Sequence, residues 1–561
     1  MAFTWASAIA LPVMFLLASL THKVIWADYN SDGTPKKPVF PRSTTVDFFF
    51  GHLFHLGDAP YKKMTEWARR LNSDIITVDL VQKQINVLSS FAAVKEILVE
   101  KSALNSTRVK TDMVEEFLTT EKTIFVKEYE ESWRLLRRQV HQSVNRNKVE
   151  PFYPLIESQS KELLRLLHDA STKAKAEGND GLRPRNFVDY FVLSSVLAVI
   201  FGKKVEEGDS LLTKILDELK EIENLQNSWW NRWSRYFAPL KYLYRLRNAD
   251  KNAPVVNLRI RVARTFKTLL DEVIEANAQA EKALAEKSSQ QPRRSIVSHM
   301  LSIRETDTED KPVPHDEIVL NAMHLTHHSF TYLSTTLHTL IHELAANPQI
   351  QKRARDELLK LTGPKRLLSL RDDFTKLPYL HAVIKETLRL HPPSYLGIPH
   401  APRTNQVISH NGSEHRLEIG TEIFINAHAI HTDPARYGDD AQEFNPDRYL
   451  PPRSPVNYSL TSSYDLYQFD VENKSIQRDH VAFGAGKRVC LGVHIAERVL
   501  VSVVATLLAG YELQQVERGK KLVTREVPNA SYSWTGRTEI EGGRMRFVVR
   551  DKEALKAWFE N

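Results

Sequence analysis

A single cysteine, Cys490, stands in a chain of 561 residues, so no intramolecular disulfide can hold the fold, and core packing with buried polar bonds has to do so. The cysteine lies in FGAGKRVCLG, Phe483 to Gly492, directly before VHIAERVLVSVVATLLAG, whose apolar spacing is helical. Its sulfur is therefore expected at a helix N-terminus, a place that favours thiolate. Gly486 and Lys487 also suggest a phosphate-binding loop, which would require Gly at 481 and Ser or Thr at 488. Val481 and Arg488 stand there instead. One thiolate cannot build a structural zinc site, which takes four ligands, whereas a haem iron accepts one axial thiolate. Gly486 and Gly492 would let the backbone approach a flat macrocycle, and Arg488 offers a cation to a carboxylate.

A hydrophobic share of 42%, with 76 basic against 69 acidic residues, describes a globular chain with a large core and a modest positive excess. The clustered Lys and Arg with interleaved aromatics of a nucleic-acid face are missing. No charged side chain precedes Lys23, and Trp5 to Leu20 is almost wholly apolar. Residues 1–22 read as a transmembrane anchor; the rival, a cleaved signal peptide, would carry a basic n-region that this segment lacks. Lys23, Lys36, Lys37 and Arg42 then place the remainder on the cytosolic side. Pro35, Pro38 and Pro41 make 23–45 a stiff connector.

Beyond it, helical apolar spacing covers Glu128–Asn145, Phe187–Phe201, Val255–Glu286, Asp316–Ala346, Gln349–Leu361, Tyr379–Leu390 and Val493–Leu508. Strand signals are fewer: Asp74–Leu80, Gln84–Ser90, Glu422–Ile430 and Arg544–Arg550. The expected fold is mainly α with small β-sheets. No Gly-x-Gly-x-x-Gly joins a strand to a helix, so the chain is not expected to bind a nicotinamide cofactor itself. WWNRWSRYFAPLKYLY, 229 to 244, suits either a membrane interface or an aromatic corner of the core.

Phe483, Gly486, Arg488, Cys490 and Gly492 match the haem-thiolate signature of the cytochrome P450 family, and the chain resembles its microsomal, eukaryotic, fungal-like type. Other motifs agree in order. Glu386 and Arg389 in HAVIKETLRLHPP resemble the family's Glu-x-x-Arg helix, whose pair meets a further arginine, here Arg448 of FNPDRYL, beneath the haem. A buried charge set of that kind is more credible as a device for holding the Cys loop than as net stabilisation. Trp133 and Arg137 in ESWRLLRRQVH resemble the pair that meets one haem propionate, and His400 of GIPHAP stands where a residue for the other is found.

The resemblance implies a cytochrome P450 fold behind the N-terminal membrane anchor, with 46–561 as one catalytic domain binding haem b through Cys490. It also implies an endoplasmic-reticulum membrane location and electrons from NADPH through a separate NADPH-cytochrome reductase. Arg134, Arg137, Arg138 and Lys487 would border the face that receives this partner. The implied activity is monooxygenation, by hydroxylation, of a small apolar organic molecule in secondary metabolism. Oxidative coupling, ring closure or dehydration without oxygen insertion is the first alternative, and a non-catalytic haem sensor the second. Substrate choice would fall to residues near 102–125, 200–245 and 320–335 and to Ile398.

The sequence departs from the family at one motif. The family's Ala/Gly-Gly-x-Asp/Glu-Thr pattern falls on His328, Ser329, Phe330, Thr331 and Tyr332, and none of the fixed positions matches. Ser329 and Thr331, beside Tyr332, are the expected organisers of a water relay. His327 and His328 are expected to be solvated or satisfied locally. The stretch 451–480 has no functional reading.

Overall fold

A computed structural model describes residues 50–560 except 58, 82, 110–117, 119–121, 207, 227, 235, 251–252, 286–294, 304–311, 452–478, 517–523, 530–534 and 541–542. The expected anchor, the connector and most of the 451–480 stretch thus lie outside the described residues.

Each long helix has an apolar stripe that must be covered, and the helices cover one another. Strands β1 (Ile75–Leu80), β2 (Lys83–Leu88) and β3 (Thr107–Arg108) precede the first helix of the site, α1 (Glu131–Val144), which buries Trp133, Leu136, Val140 and Val144. Next come α2 (Tyr153–Ala176), α3 (Arg185–Phe201), α4 (Pro254–Ala285) and α5 (His315–Ala346). Helix α2 was not among the expected segments, although Ile156, Leu163, Leu164 and Leu167 form its buried face. Helices α6 (Pro348–Thr362) and α7 (Pro378–Leu390) begin one residue before their apolar spacing because proline, with its preset φ, opens both. The last helix at the centre is α8 (Val493–Gly510).

Helix α5 crosses the molecule, packing on α3, α4, α7 and α8. Helix α8 is apolar and long enough to span a bilayer but is wholly buried by its neighbours, as befits a core helix. The main sheet adds β4 (His400–Ala401) and β5 (Glu422–Ile425), in the order β1-β2-β5-β4-β3. Its pairings are antiparallel except β2 with β5. The expected strand Glu422–Ile430 stops at Ile425, since the Asn426 side chain accepts from the Ala429 N–H and starts the short helix Ala427–His431. In the aromatic segment Trp229, Tyr242 and Leu243 are exposed while Tyr244 is buried, so a core corner accounts for only part of it.

Candidate active site

The Cys loop closes on itself through the Cys490 N–H, which donates to the Phe483 carbonyl at 2.9 Å. Phe483 packs partly buried against the main core. Gly486 has φ +60°, and a Cβ there would collide with the Leu98 carbonyl oxygen. Its missing side chain therefore allows close contact with the 95–100 helical turn. At Gly492 a Cβ would lie 3.9 Å from Cys490 Sγ, so this is the glycine next to the thiol.

Cys490 is accessible to a solvent-sized sphere although protein encloses it. These two facts agree if the thiol faces an internal cavity. Burial pushes the thiol pKa up, against the Gly492 N–H and the nearby Arg137, which both favour thiolate. Burial thus outweighs the helix N-terminus that the sequence suggested. A coordinated metal would reverse the balance, since a ligating thiol is deprotonated outright.

Three guanidiniums crowd one another here, and one of them, Arg137, lies within electrostatic reach of the thiol. Arg137 donates to the Val489 carbonyl at 2.6 Å. Arg488 donates to the carbonyls of Ser106 (2.8 Å), Ile124 (2.9 Å) and Lys127 (2.6 Å), and lies over the Trp133 ring at 4.0 Å. Burial, then Arg108 and Arg137, lowers its pKa to about 8. Arg108, on β3, donates to the carbonyls of Ile398 and Pro399. It was absent from the expected set. The Trp133 N–H, expected to meet a propionate, donates to the Ile124 carbonyl at 2.8 Å, and the ring instead carries Arg488 and Arg137.

His400 pairs with Arg108 across β3 and β4. Its Nδ1 donates to the Asn105 carbonyl at 2.9 Å, and burial followed by Arg108 holds its pKa well below the usual value. The ring is neutral, so the cation at this place is Arg108. A thiol within reach of Arg137, with Arg108 and Arg488 crowded against that arginine, suits a group that pairs a metal seeking a thiolate with carboxylates seeking cations. Haem satisfies both.

Beneath the loop, Arg389 meets Glu386 with two bonds of 2.7 Å, and Arg448 Nε reaches the same carboxylate at 3.0 Å, with Glu386 and Arg389 fully buried. Arg389 and Arg448 also donate to the backbone carbonyls of residues 431, 437, 440, 441 and 443. His431 links this set to the Cys loop. Its Nε2 accepts from the Val481 N–H at 2.9 Å and its Nδ1 donates to the Arg389 carbonyl at 2.7 Å. Because an amide N–H can only donate, the tautomer is fixed.

On the other side lies α5, with Ser329, Thr331 and Tyr332 all part-exposed on it. Burial raises the Tyr332 phenol to about 12, with Cys490 adding to the shift and Arg108 opposing it, so the phenol lies within electrostatic reach of both. Thr331 sits about 100° around the helix from Tyr332, whereas His324, His328 and Tyr332 recur every fourth residue on one side. His328 Nε2 and His324 Nε2 are 2.7 Å apart, and His324 Nδ1 lies 2.7 Å from the Thr123 hydroxyl. Phe125 stacks on His328 at 4.4 Å. His328 is thus buried and bonded, as a locally satisfied residue would be, but its partner is another imidazole.

Of the expected partner-facing cations, Arg134 and Arg138 are exposed, while Lys487 donates to the Tyr129 hydroxyl at 2.6 Å.

The sequence model of the family described as Cytochrome P450 matches residues 41–532. The chain is 26% identical over 495 residues to cytochrome P450 monooxygenase macC of Penicillium terrestre, covering 84% of this chain and 82% of that protein. It is likewise 26% identical to cytochrome P450 monooxygenase yanC of Aspergillus niger, covering 81% and 78%. Similarity extends to plants: cytochrome P450 71A12 of Arabidopsis thaliana is 25% identical, covering 82% of this chain and 84% of that protein.

Proposed function

The chain belongs to the cytochrome P450 family of haem oxidoreductases, and from that membership we propose that it hydroxylates a small apolar molecule in the cavity between Cys490 and α5. The observation that carries the proposal is the Cys490 thiol within reach of Arg137, which crowds together with Arg108 and Arg488. When bound, the haem supplies the redox-active iron at which dioxygen is reduced. Cys490 would hold that iron through its thiolate, an electron-donating ligand. Arg108, Arg137 and Arg488 would balance the propionates, with Trp133 as the platform on which Arg137 and Arg488 rest. Glu386, Arg389, Arg448 and His431 fix the loop that carries the thiolate.

The balanced reaction is R–H + O2 + NADPH + H⁺ → R–OH + H2O + NADP⁺, with the electrons passing through a separate NADPH-cytochrome reductase. Exposed Arg134 and Arg138 on α1 suit an acidic partner of that kind. Attachment of residues 1–22 to the endoplasmic-reticulum membrane, a cytosolic catalytic domain 46–561, and a place in secondary metabolism belong to the same proposal. Thr331 and Tyr332, standing where a carboxylate and a small alcohol are expected, favour a second reading: oxidative coupling or ring closure without oxygen insertion.

Turnover under isotopically labelled dioxygen separates the two. Label in the product supports hydroxylation; a product lighter by two hydrogens and free of label refutes it. Cys490→Ala should lose the red-shifted Soret band of the reduced, carbon-monoxide-bound protein, and its persistence would refute the thiolate assignment.

A further inference from the structure

Hydroxylation consumes two protons for each dioxygen, and at positions 331 and 332 α5 has a threonine and a tyrosine but no carboxylate. Resting on the haem-thiolate reading, we infer that Thr123, His324 and His328 form a proton relay toward the cavity above Cys490. The three side chains are almost fully buried, at 0%, 2% and 7% exposure, so bulk water does not compete for their bonds. The Tyr332 ring lies 5.7 Å from that of His328 and carries this side of α5 toward Cys490, whose charge it feels. At the other end, Thr123 follows Lys122, whose exposed ammonium pairs with Asp316 at 2.8 Å.

For two neutral rings, the two short bonds leave two arrangements of hydrogens. In one, the Thr123 hydroxyl donates to His324 Nδ1, His324 Nε2–H donates to His328 Nε2, and His328 carries a proton on Nδ1. In the other, every donor and acceptor is reversed and His328 Nδ1 is bare. Passing from the first to the second releases the proton from His328 Nδ1. The His324 Nε2–H bond breaks as a bond forms at His328 Nε2, and the Thr123 O–H bond breaks as one forms at His324 Nδ1. A proton from the ammonium of Lys122, next in sequence and itself restored from solvent, replaces the one lost from Thr123. One proton enters, one leaves, and no atom changes oxidation state; reorientation of the rings restores the first arrangement. The imidazoles suit this traffic because burial and their mutual proximity keep His328 neutral, so it does not hold the proton it passes.

The test uses the haem-loaded, full-length protein. His324→Gln retains a hydrogen bond to His328 but cannot accept a proton at one nitrogen while releasing it at another. We expect the thiolate Soret band of its reduced carbon-monoxide complex to be unchanged and the share of NADPH electrons lost as hydrogen peroxide to rise roughly tenfold. A readout independent of turnover is the C–O stretch of that complex: its shift between H2O and D2O in the native protein should vanish in His328→Phe. Native peroxide release in His324→Gln, or a retained D2O shift in His328→Phe, would overturn the relay. Absence of the thiolate band from the native protein would instead overturn the reading on which the relay rests.

Discussion

Replacing His431 by leucine should loosen the Cys loop without touching the thiol. The substitution leaves two buried groups unpaired: the Val481 N–H, bonded at 2.9 Å, and the Arg389 carbonyl, bonded at 2.7 Å in the last turn of α7, where no intrahelical donor remains. Each such group costs about 1–3 kcal/mol, and partial relaxation around the leucine places the sum near about 2–4 kcal/mol. With an unfolding entropy of about 2.1 cal/mol/K per residue, that corresponds to about 2–4 °C in the thermal midpoint, read as loss of Soret absorbance at a fixed scan rate. A pH series identifies the cause. Burial, then His480 and Arg389, holds the His431 pKa well below its ordinary value. The neutral ring therefore contributes fully above about pH 6.5, and the contribution falls by about 1.4 kcal/mol per unit as pH drops toward the folded pKa. His431→Gln does not titrate, so the native protein's advantage over it should shrink by about 1.4 kcal/mol between pH 7.5 and 5.5. An advantage independent of pH, or a leucine variant as stable as the native protein, would refute the assignment.

Two further perturbations have definite signs. Gly486→Ala adds about 1–2 kcal/mol of left-handed strain and about 1–3 kcal/mol of overpacking against Leu98. Its haem content after purification should therefore fall well below that of Gly412→Ala, whose Cβ, at a φ of +78°, meets nothing within 4 Å. His410 behaves oppositely to His431: burial would lower its pKa, but bonds to Asp74 (2.9 Å) and Glu96 (2.7 Å) raise it. Its contribution is complete below about pH 6.5 and is lost as pH rises through the raised value, so His410→Ala should lose stability at pH 6 and little at high pH, as denaturation midpoints would reveal.

The helical scaffold was legible because its apolar stripes repeat over many turns, as in α5 and α8. The Cys loop and the Glu386, Arg389 and Arg448 set were legible because unusual residue types recur at fixed spacing. Arg108 escaped because a two-residue strand offers no periodicity, and His431 because one histidine among several in AHAIH carries no mark of what it bonds. The relay was hidden for another reason. His324 and His328 share a helix face visibly enough, but the hydroxyl that completes the chain comes from a segment 201 residues away in sequence from His324. The shift of charge from His400 to Arg108 likewise depends on burial, which spacing does not report.

Ile124 ties α5 to α1 and the Cys loop through its backbone, apart from the packing of its side chain. Its N–H donates to Asn321 on α5, and its carbonyl receives both Trp133 and Arg488. The joint does not use the side chain at 124, which packs in the main core, so a conservative Ile124→Val leaves the joint intact. A proline there, which removes the N–H while leaving the carbonyl, would expose the dependence that ordinary substitutions conceal.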